Sequence, residues 1–254
     1  KLQTIESYAF VHSRVEEISL PASLIELKEK WCYDTENLKK ITVSPLNKHF
    51  MMIEDKYLVG KSDENKEEFD VLLFARRDIE EISIPSNITK ISSYAFEKCT
   101  KLTKVEISAD SKLETIGEHA FSSSCIKEIF IPSKVLKICN YEFAKCKYLT
   151  KVEFATNSNL QTISLNAFSS SKIEEISIPS KVSIIKGSNC HNCGNIRKVE
   201  IPENSNLQTI ESNAFESSRV EEIYFPESLK ELKEKWCCDT ENLKKIAVSP
   251  LNKH

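Results

Sequence analysis

Ile79-Glu80-Glu81-Ile82-Ser83-Ile84-Pro85 is the stretch on which the reading of this chain turns. It runs aliphatic, two polar residues, aliphatic, one variable residue, aliphatic. The same phrase stands at Val15-Glu16-Glu17-Ile18-Ser19-Leu20 and at Leu38-Lys39-Lys40-Ile41-Thr42-Val43. Further copies are centred on Val105, Ile129, Val152, Ile176, Val199, Ile223 and Ile246. From Ile82 onward the spacing alternates between 23 and 24 residues. Apolar residues alternate with polar ones across the second half of each phrase, which is strand character. No intervening stretch has the 10–12 residues of an ordinary helix. Each unit is therefore a short coil: strand, turn, second extended or 3₁₀ segment, return turn. A coil this small cannot enclose a core, so the units must stack and shield one another, as in a solenoid.

An aromatic slot fixes the register. It holds Phe10, Trp31, Phe96, Phe121, Phe143, Phe168, Phe215 and Trp236, with Cys190 in the remaining unit. Two unit types alternate. One ends in serine-rich turns such as Phe121-Ser122-Ser123-Ser124, and the other carries Phe96-Glu97-Lys98-Cys99 or Phe143-Ala144-Lys145-Cys146. Above this lies a longer period, because residues 2–49 and 207–254 differ at only nine of 48 positions. The chain is accordingly expected to form one solenoid domain over residues 1–254 and to belong to a longer array. One interruption occurs at about residues 47–77, where Ile41 and Ile82 are 41 residues apart. Residues 50–59 and 69–75 there predict two strands of an inserted β-hairpin around a polar turn, packed on neighbouring coils because a lone hairpin is marginal.

These phrases resemble the BspA-like branch of the leucine-rich repeats. Ile82-Ser83-Ile84-Pro85, Ile88-x-x-Ile91 and Ala95-Phe96-x-x-Cys99 follow its unit, as do Ile129-Phe130-Ile131-Pro132 and Ile176-Ser177-Ile178-Pro179. The resemblance implies a leucine-rich-repeat solenoid, β-rich though conventionally grouped as α/β, with about ten coils and a parallel sheet on one face. It also implies an inserted hairpin after Asn47, and a surface or secreted location with adhesion to host matrix or cell-surface proteins. A cytoplasmic scaffold gathering partner proteins is the alternative. Glycine before the Ala-Phe pair, frequent in the family, survives here mainly at Gly117.

Composition narrows the partners. With 35 basic against 38 acidic residues the chain has a net charge of −3 and no basic footprint for nucleic acid. No apolar run reaches the ~18 residues that span a bilayer, so direct membrane insertion is not expected of this segment. Four glycines in 254 residues are too few for phosphate-cradling loops.

Period-two alternation turns the residues flanking each central aliphatic outward. Just before it stand, down the stack, Glu81, Lys104, Glu128, Lys151, Glu175, Lys198, Glu222 and Lys245, preceded by Glu17 and Lys40. The sign alternates without exception, which predicts a register-fixing charge ladder across strands. Just after it come Glu106, Phe130, Glu153, Glu200 and Tyr224, interspersed with Ser83 and Ser177. Phe130 and Tyr224, flanked by these carboxylates, are the candidate partner-binding residues, since aromatics are enriched at interface hot spots.

Nothing in the sequence assembles a catalytic constellation. His12, His49, His119, His191 and His254 stand in no motif with a nucleophile and a carboxylate, so a non-enzymatic protein without cofactor is expected. Cys99, Cys146 and Cys193 share one slot two coils apart, ~9.6 Å, too far for disulfides, and are expected as buried free thiols. Cys190-His191-Asn192-Cys193 offers only half of a four-ligand zinc site. Asn87-Ile88-Thr89 fits a glycosylation acceptor, a weak pattern.

Overall fold

The computed structural model describes residues 1–187, 195–250 and 252. Its strands pile into a solenoid with two β sides and one side made of turns. The central phrases form the first side, from Glu17–Leu20 and Lys40–Val43 through Glu81–Ile84 to Lys245–Val248, with every hydrogen-bonded pair parallel. Within these strands Ile82, Ile84, Val105, Ile107, Ile129 and Ile131 point into the core. The hydrogen bonding along this side breaks into four groups, separated after Lys40–Val43, Lys104–Ile107 and Lys151–Phe154. The second side is built of two- and three-residue strands and runs unbroken from Lys137–Ile138 to Glu231–Leu232. Among the described residues one 3₁₀ turn occurs, Leu165–Phe168.

The third side carries the ring column. Phe96 and Phe121 stack at 4.7 Å, Phe121 and Phe143 at 5.5 Å, and Phe143 and Phe168 at 5.7 Å, all within 10° of parallel. These separations are those of favourable offset stacks. Chain reversal on either side of most rings uses left-handed backbone, as at Tyr94 and Lys98 around Phe96, or Tyr141 and Lys145 around Phe143, whereas Phe168 is entered through a 3₁₀ turn and followed by left-handed Ser170. Among the described residues seventeen non-glycines take positive φ and no glycine does. Such residues cost about 1–2 kcal/mol each. Backbone hydrogen bonds between successive turns hold them in place, for example from the Phe96 N–H to the Ala120 carbonyl at 2.7 Å and from the Lys98 N–H to the Ser122 carbonyl at 2.9 Å. Gly117 is required for a different reason: a Cβ there would lie 2.4 Å from the Ser93 nitrogen of the coil beneath. Beside the rings runs a second aromatic file that the sequence reading missed, in which His119 lies stacked between Tyr94 and Tyr141.

The insertion differs from the expected hairpin. It has three strands, Phe50–Ile53, Tyr57–Gly60 and Val71–Ala75, because the first predicted strand folds back on itself at Glu54-Asp55, both in left-handed conformation. Val71 pairs in parallel with Lys90, so the insertion extends the second sheet instead of standing outside the stack. Both of its faces are apolar. Tyr57, Val59, Leu72 and Ala75 pack with the later coils, while Phe50, Leu58 and Phe74 pack with Trp31, Leu38 and Ile41. It is thus a layer of the stack, and it parts the core in two. The internal duplication shows what this layer covers: Ile41, beneath it, is 1% exposed, whereas its copy Ile246 is 50% exposed.

Arg77 stitches this junction. Its buried guanidinium donates to the carbonyls of Ala95 (2.9 Å), Tyr94 (3.2 Å), Cys32 (3.3 Å) and Thr35 (3.4 Å), and lies 4.4 Å from the centre of the Phe74 ring. From one side chain it reaches both the coil before the inserted layer and the coil after it.

Most coils place alanine just before the ring, as at Ala95, Ala120, Ala167 and Ala214, all buried. The coil of Phe143 has Glu142 instead, fully buried. Its Oε1 accepts the Cys139 N–H at 2.9 Å and its Oε2 has no partner. Burial pushes this carboxyl well above the usual range.

Cys99 and Cys146 are buried free thiols, donating to the carbonyls of Arg76 and Phe121 at 3.6 and 3.1 Å. Cys193, like Cys190 and His191, lies outside the described residues.

Candidate functional site

The first β side is a regular surface whose outward residues are fixed by the pleat. Register places Glu81 opposite Lys104, Glu128 opposite Lys151, Glu175 opposite Lys198, and Glu222 between Lys198 and Lys245. The ionic contacts nevertheless depart from the expected ladder. Lys104 reaches along its own strand to Glu106 at 2.5 Å and Lys198 to Glu200 at 2.6 Å, and Lys151 closes on Glu153 in the same way. Only at the two ends do the lysines cross to the neighbouring strand, Lys40 to Glu17 at 3.1 Å and Lys245 to Glu222 at 3.5 Å.

The cause is the residue two positions after the lysine. Where it is Glu106, Glu153 or Glu200, a carboxylate on the same face competes for the ammonium. Where it is Thr42 or Ala247, none does. Ser83 and Ser177 strengthen the bias, since their hydroxyls donate to Glu106 and Glu200 at 2.6 Å and hold those carboxylates in place. The bonds from Lys104 and Ser83 keep the Glu106 carboxyl below its ordinary range, and those from Lys198 and Ser177 do the same for Glu200. The sign rule read from the sequence thus describes the register, whereas salt contacts obey a local competition that sign alternation does not reveal.

Phe130 lies opposite Glu153 and Tyr224 opposite Ala247. Neither stands free of the surface as the sequence reading had it. Both are half-buried, and Phe130 packs down against the core. Each borders a shallow depression, Phe130 with Glu153 and Pro179, and Tyr224 with Glu200 and Pro202, and both depressions reach Ser177 and Ile178.

A deeper cleft lies where the inserted layer overhangs the face. Glu54, Lys56 and Tyr57 form one wall and Glu81, Ser83 and Lys104 the other. The overhang is anchored by Arg76, which holds Asp55 at 2.7 Å and Asp78 at 3.1 Å. Sequence reasoning missed this wall because it ran one strand through residues 50–59. The polar pair Glu54-Asp55 between two apolar runs was the available signal of a turn.

Elsewhere the chemistry is sparse. Among the described residues one group of three potential metal ligands occurs, Glu216, Cys238 and Asp239. In the duplicated segment their places are taken by Val11, Tyr33 and Asp34. Asn87 of the glycosylation triplet donates its amide to the Phe69 carbonyl at 3.0 Å, tying the inserted layer to the coil that follows. No described helix is long and apolar enough to cross a membrane.

A solenoid of stacked coils with a broad charged face defines a repeat protein. The chain belongs to the BspA type leucine-rich repeat family, whose sequence profile matches in six copies over residues 1–56, 67–191 and 156–253. It is similar in fold to a leucine-rich repeat protein from Eubacterium ventriosum (23% identity, TM-score 0.72, covering 93% of this chain and 62% of the other). A leucine-rich cell surface protein from Faecalibacterium prausnitzii aligns with 18% identity and a TM-score of 0.52, over 97% of this chain and 51% of the other. A leucine-rich repeat protein from T. pallidum aligns with 18% identity and a TM-score of 0.53, over 77% of this chain and 81% of the other. This chain therefore spans about half to two thirds of the length of the first two. No curated protein matches it.

Proposed function

We propose that this chain is the protein-binding region of a cell-surface or secreted adhesive protein, and that the first β side around Phe130 and Tyr224 is where a protein partner docks. The observation that carries this is the pair of half-buried aromatics set among Glu106, Glu153 and Glu200 on an otherwise polar face. Half-burial favours such a role: the rings are pre-positioned, so docking costs little side-chain ordering. Membership of a leucine-rich repeat family and likeness to a protein described as a leucine-rich cell surface protein support the location.

The test is adhesion of the purified chain to surfaces coated with individual extracellular-matrix proteins, alongside the double variant Phe130→Ala/Tyr224→Ala. The reading expects retention on at least one coating and a loss of about tenfold or more in the variant, as truncating hot-spot aromatics commonly gives. Equal retention of both proteins on every coating would dismiss this face as the docking surface.

A further inference from the structure

We infer that the cleft beneath the inserted layer is a binding site for one primary ammonium group, presented as a lysine side chain by a protein partner. The site lies apart from Phe130 and Tyr224, so it stands or falls independently of the docking face proposed above.

The cavity between Glu54, Lys56 and Tyr57 on one wall and Glu81, Ser83 and Lys104 on the other measures about 260 Å³. Pockets that take drug-sized ligands run from roughly 300 to 1,000 Å³, so this one suits a single side chain. Its overhanging wall is fixed before anything binds. Arg76 grips the Asp55 and Asp78 carboxylates, and its N–H donates to the Lys56 carbonyl at 2.9 Å. The Lys56 N–H in turn donates to the Ile53 carbonyl at 2.8 Å. A preformed wall removes the cost of ordering it on binding.

The group that points to a ligand is the Tyr57 hydroxyl. The residue is 4% exposed and packs in the core with Val59, Leu72 and Ala75, yet its hydroxyl, at the wall of the cleft, makes no hydrogen bond within the chain. Phenylalanine would serve the packing equally well. Polar groups drawn so far out of water normally have a partner. Burial, with the Glu54 carboxylate nearby, pushes this phenol above its ordinary range, so at neutral pH it is an uncharged group with oxygen lone pairs to offer.

The charges of the cleft select what those lone pairs meet. Lys56 is held by Glu54 at 3.3 Å and Lys104 by Glu106 at 2.5 Å, which makes two neutral pairs. Ser83 donates its hydroxyl to Glu106 at 2.6 Å. The Glu81 carboxylate is left without an ion pair, although register sets it opposite Lys104. What stays open is one carboxylate and one hydroxyl oxygen, with a single uncompensated negative charge. An ammonium brings three donors and one positive charge on a single atom. An anion meets the Glu81 charge, and a sugar finds no aromatic face to stack on, because the Tyr57 ring is buried. A guanidinium offers a planar fork matched to the two oxygens of one carboxylate, whereas the diverging donors of an ammonium suit oxygens on opposite walls.

The experiment is an NMR titration of the isotope-labelled whole chain, following backbone amides. The probe is Nα-acetyl-lysine methylamide; the comparators are its Nε-acetylated form, the arginine analogue, methyl glucoside and cadaverine. The inference expects saturable shifts centred on Glu54–Tyr57 and Glu81–Ser83 with the lysine probe. Tyr57→Phe and Glu81→Gln should each weaken binding about tenfold, as loss of a hydrogen bond to a charged group does. Glu128→Gln, at the same strand position outside the cleft, should change it less than twofold. Tyr57→Phe keeps the ring and breaks no hydrogen bond, so its thermal unfolding should match that of the wild type. The site is overturned by an absence of saturable shifts, by equal binding of the Nε-acetylated form, or by unchanged affinity in Tyr57→Phe. Tighter binding of the arginine analogue, the glucoside or cadaverine overturns the lysine side chain as its ligand. Loss of adhesion in the aromatic double variant, with no shift at the cleft, leaves the docking face and removes this site.

Discussion

Replacing Glu142 by glutamine isolates the energetic consequence of one buried carboxyl. In the folded chain burial pushes the Glu142 carboxyl well above its ordinary value, and one carboxyl oxygen has no hydrogen-bond partner. In the unfolded chain it titrates near the usual 4.5. A raised folded value means that the native state retains a proton the unfolded state releases. Stability from this group is therefore intact below about pH 4.5 and declines as the pH climbs towards the folded value. The linkage slope for one proton is about 1.4 kcal/mol per pH unit. At roughly 2–4 °C per kcal/mol for a chain of this size, each unit should lower the wild-type midpoint by about 3–6 °C relative to Glu142→Gln. The assay is thermal unfolding of both proteins by circular dichroism from pH 4 to 9, reading only the difference, so that other titrating groups cancel. The difference should be nearly flat below pH 4.5 and then grow in favour of the variant. Glu142→Ala, which restores the residue of the neighbouring coils, should show the same pH-independent behaviour as glutamine. Parallel curves for wild type and Glu142→Gln across the range would refute the reasoning.

Three further outcomes follow from the packing. Arg77→Met should destabilise the chain by about 1.5–3 kcal/mol in urea unfolding, since four buried carbonyls each lose one of their donors, a charged one, and Arg77→Lys should rescue little because one ammonium cannot reach them all. Double-mutant cycles should find stronger coupling between Glu17 and Lys40 than between Glu128 and Lys151, following the contacts and not the register. Under native conditions a thiol reagent should modify Cys238 and Cys237 rapidly while sparing Cys32 and Cys146, whose thiols burial pushes up to about 11; prompt reaction of all described cysteines would contradict the buried column.

The architecture was legible because periodicity is a global signal. Ten copies of one phrase, with a ring at a fixed offset, leave little freedom in how coils stack, and Phe96, Phe121 and Phe143 lie buried where that offset put them. What eluded sequence reading was local and pairwise. The choice of Lys104 between Glu81 and Glu106 depends on a distance of a few ångström and on a serine hydroxyl from the next coil. The three-stranded insertion was misread because apolar residues facing two cores lose the alternation that marks a strand with one dry side. Arg77 follows Arg76 with nothing in the sequence to mark it as buried, and only the assembled junction reveals the carbonyls it serves.

The shared layer also gives the rod a shear pin. Beyond Val71 the short strands are laced by backbone hydrogen bonds within two groups, from Val71–Ala75 to Thr115–Ile116 and from Lys137–Ile138 to Glu231–Leu232, whereas the first two coils join the rest mainly through ring packing, the side chain and amide of Arg77, and ion pairs such as Lys90 with Glu29. A pull applied from the amino-terminal side would therefore load the face of the inserted layer that packs on Trp31, Leu38 and Ile41.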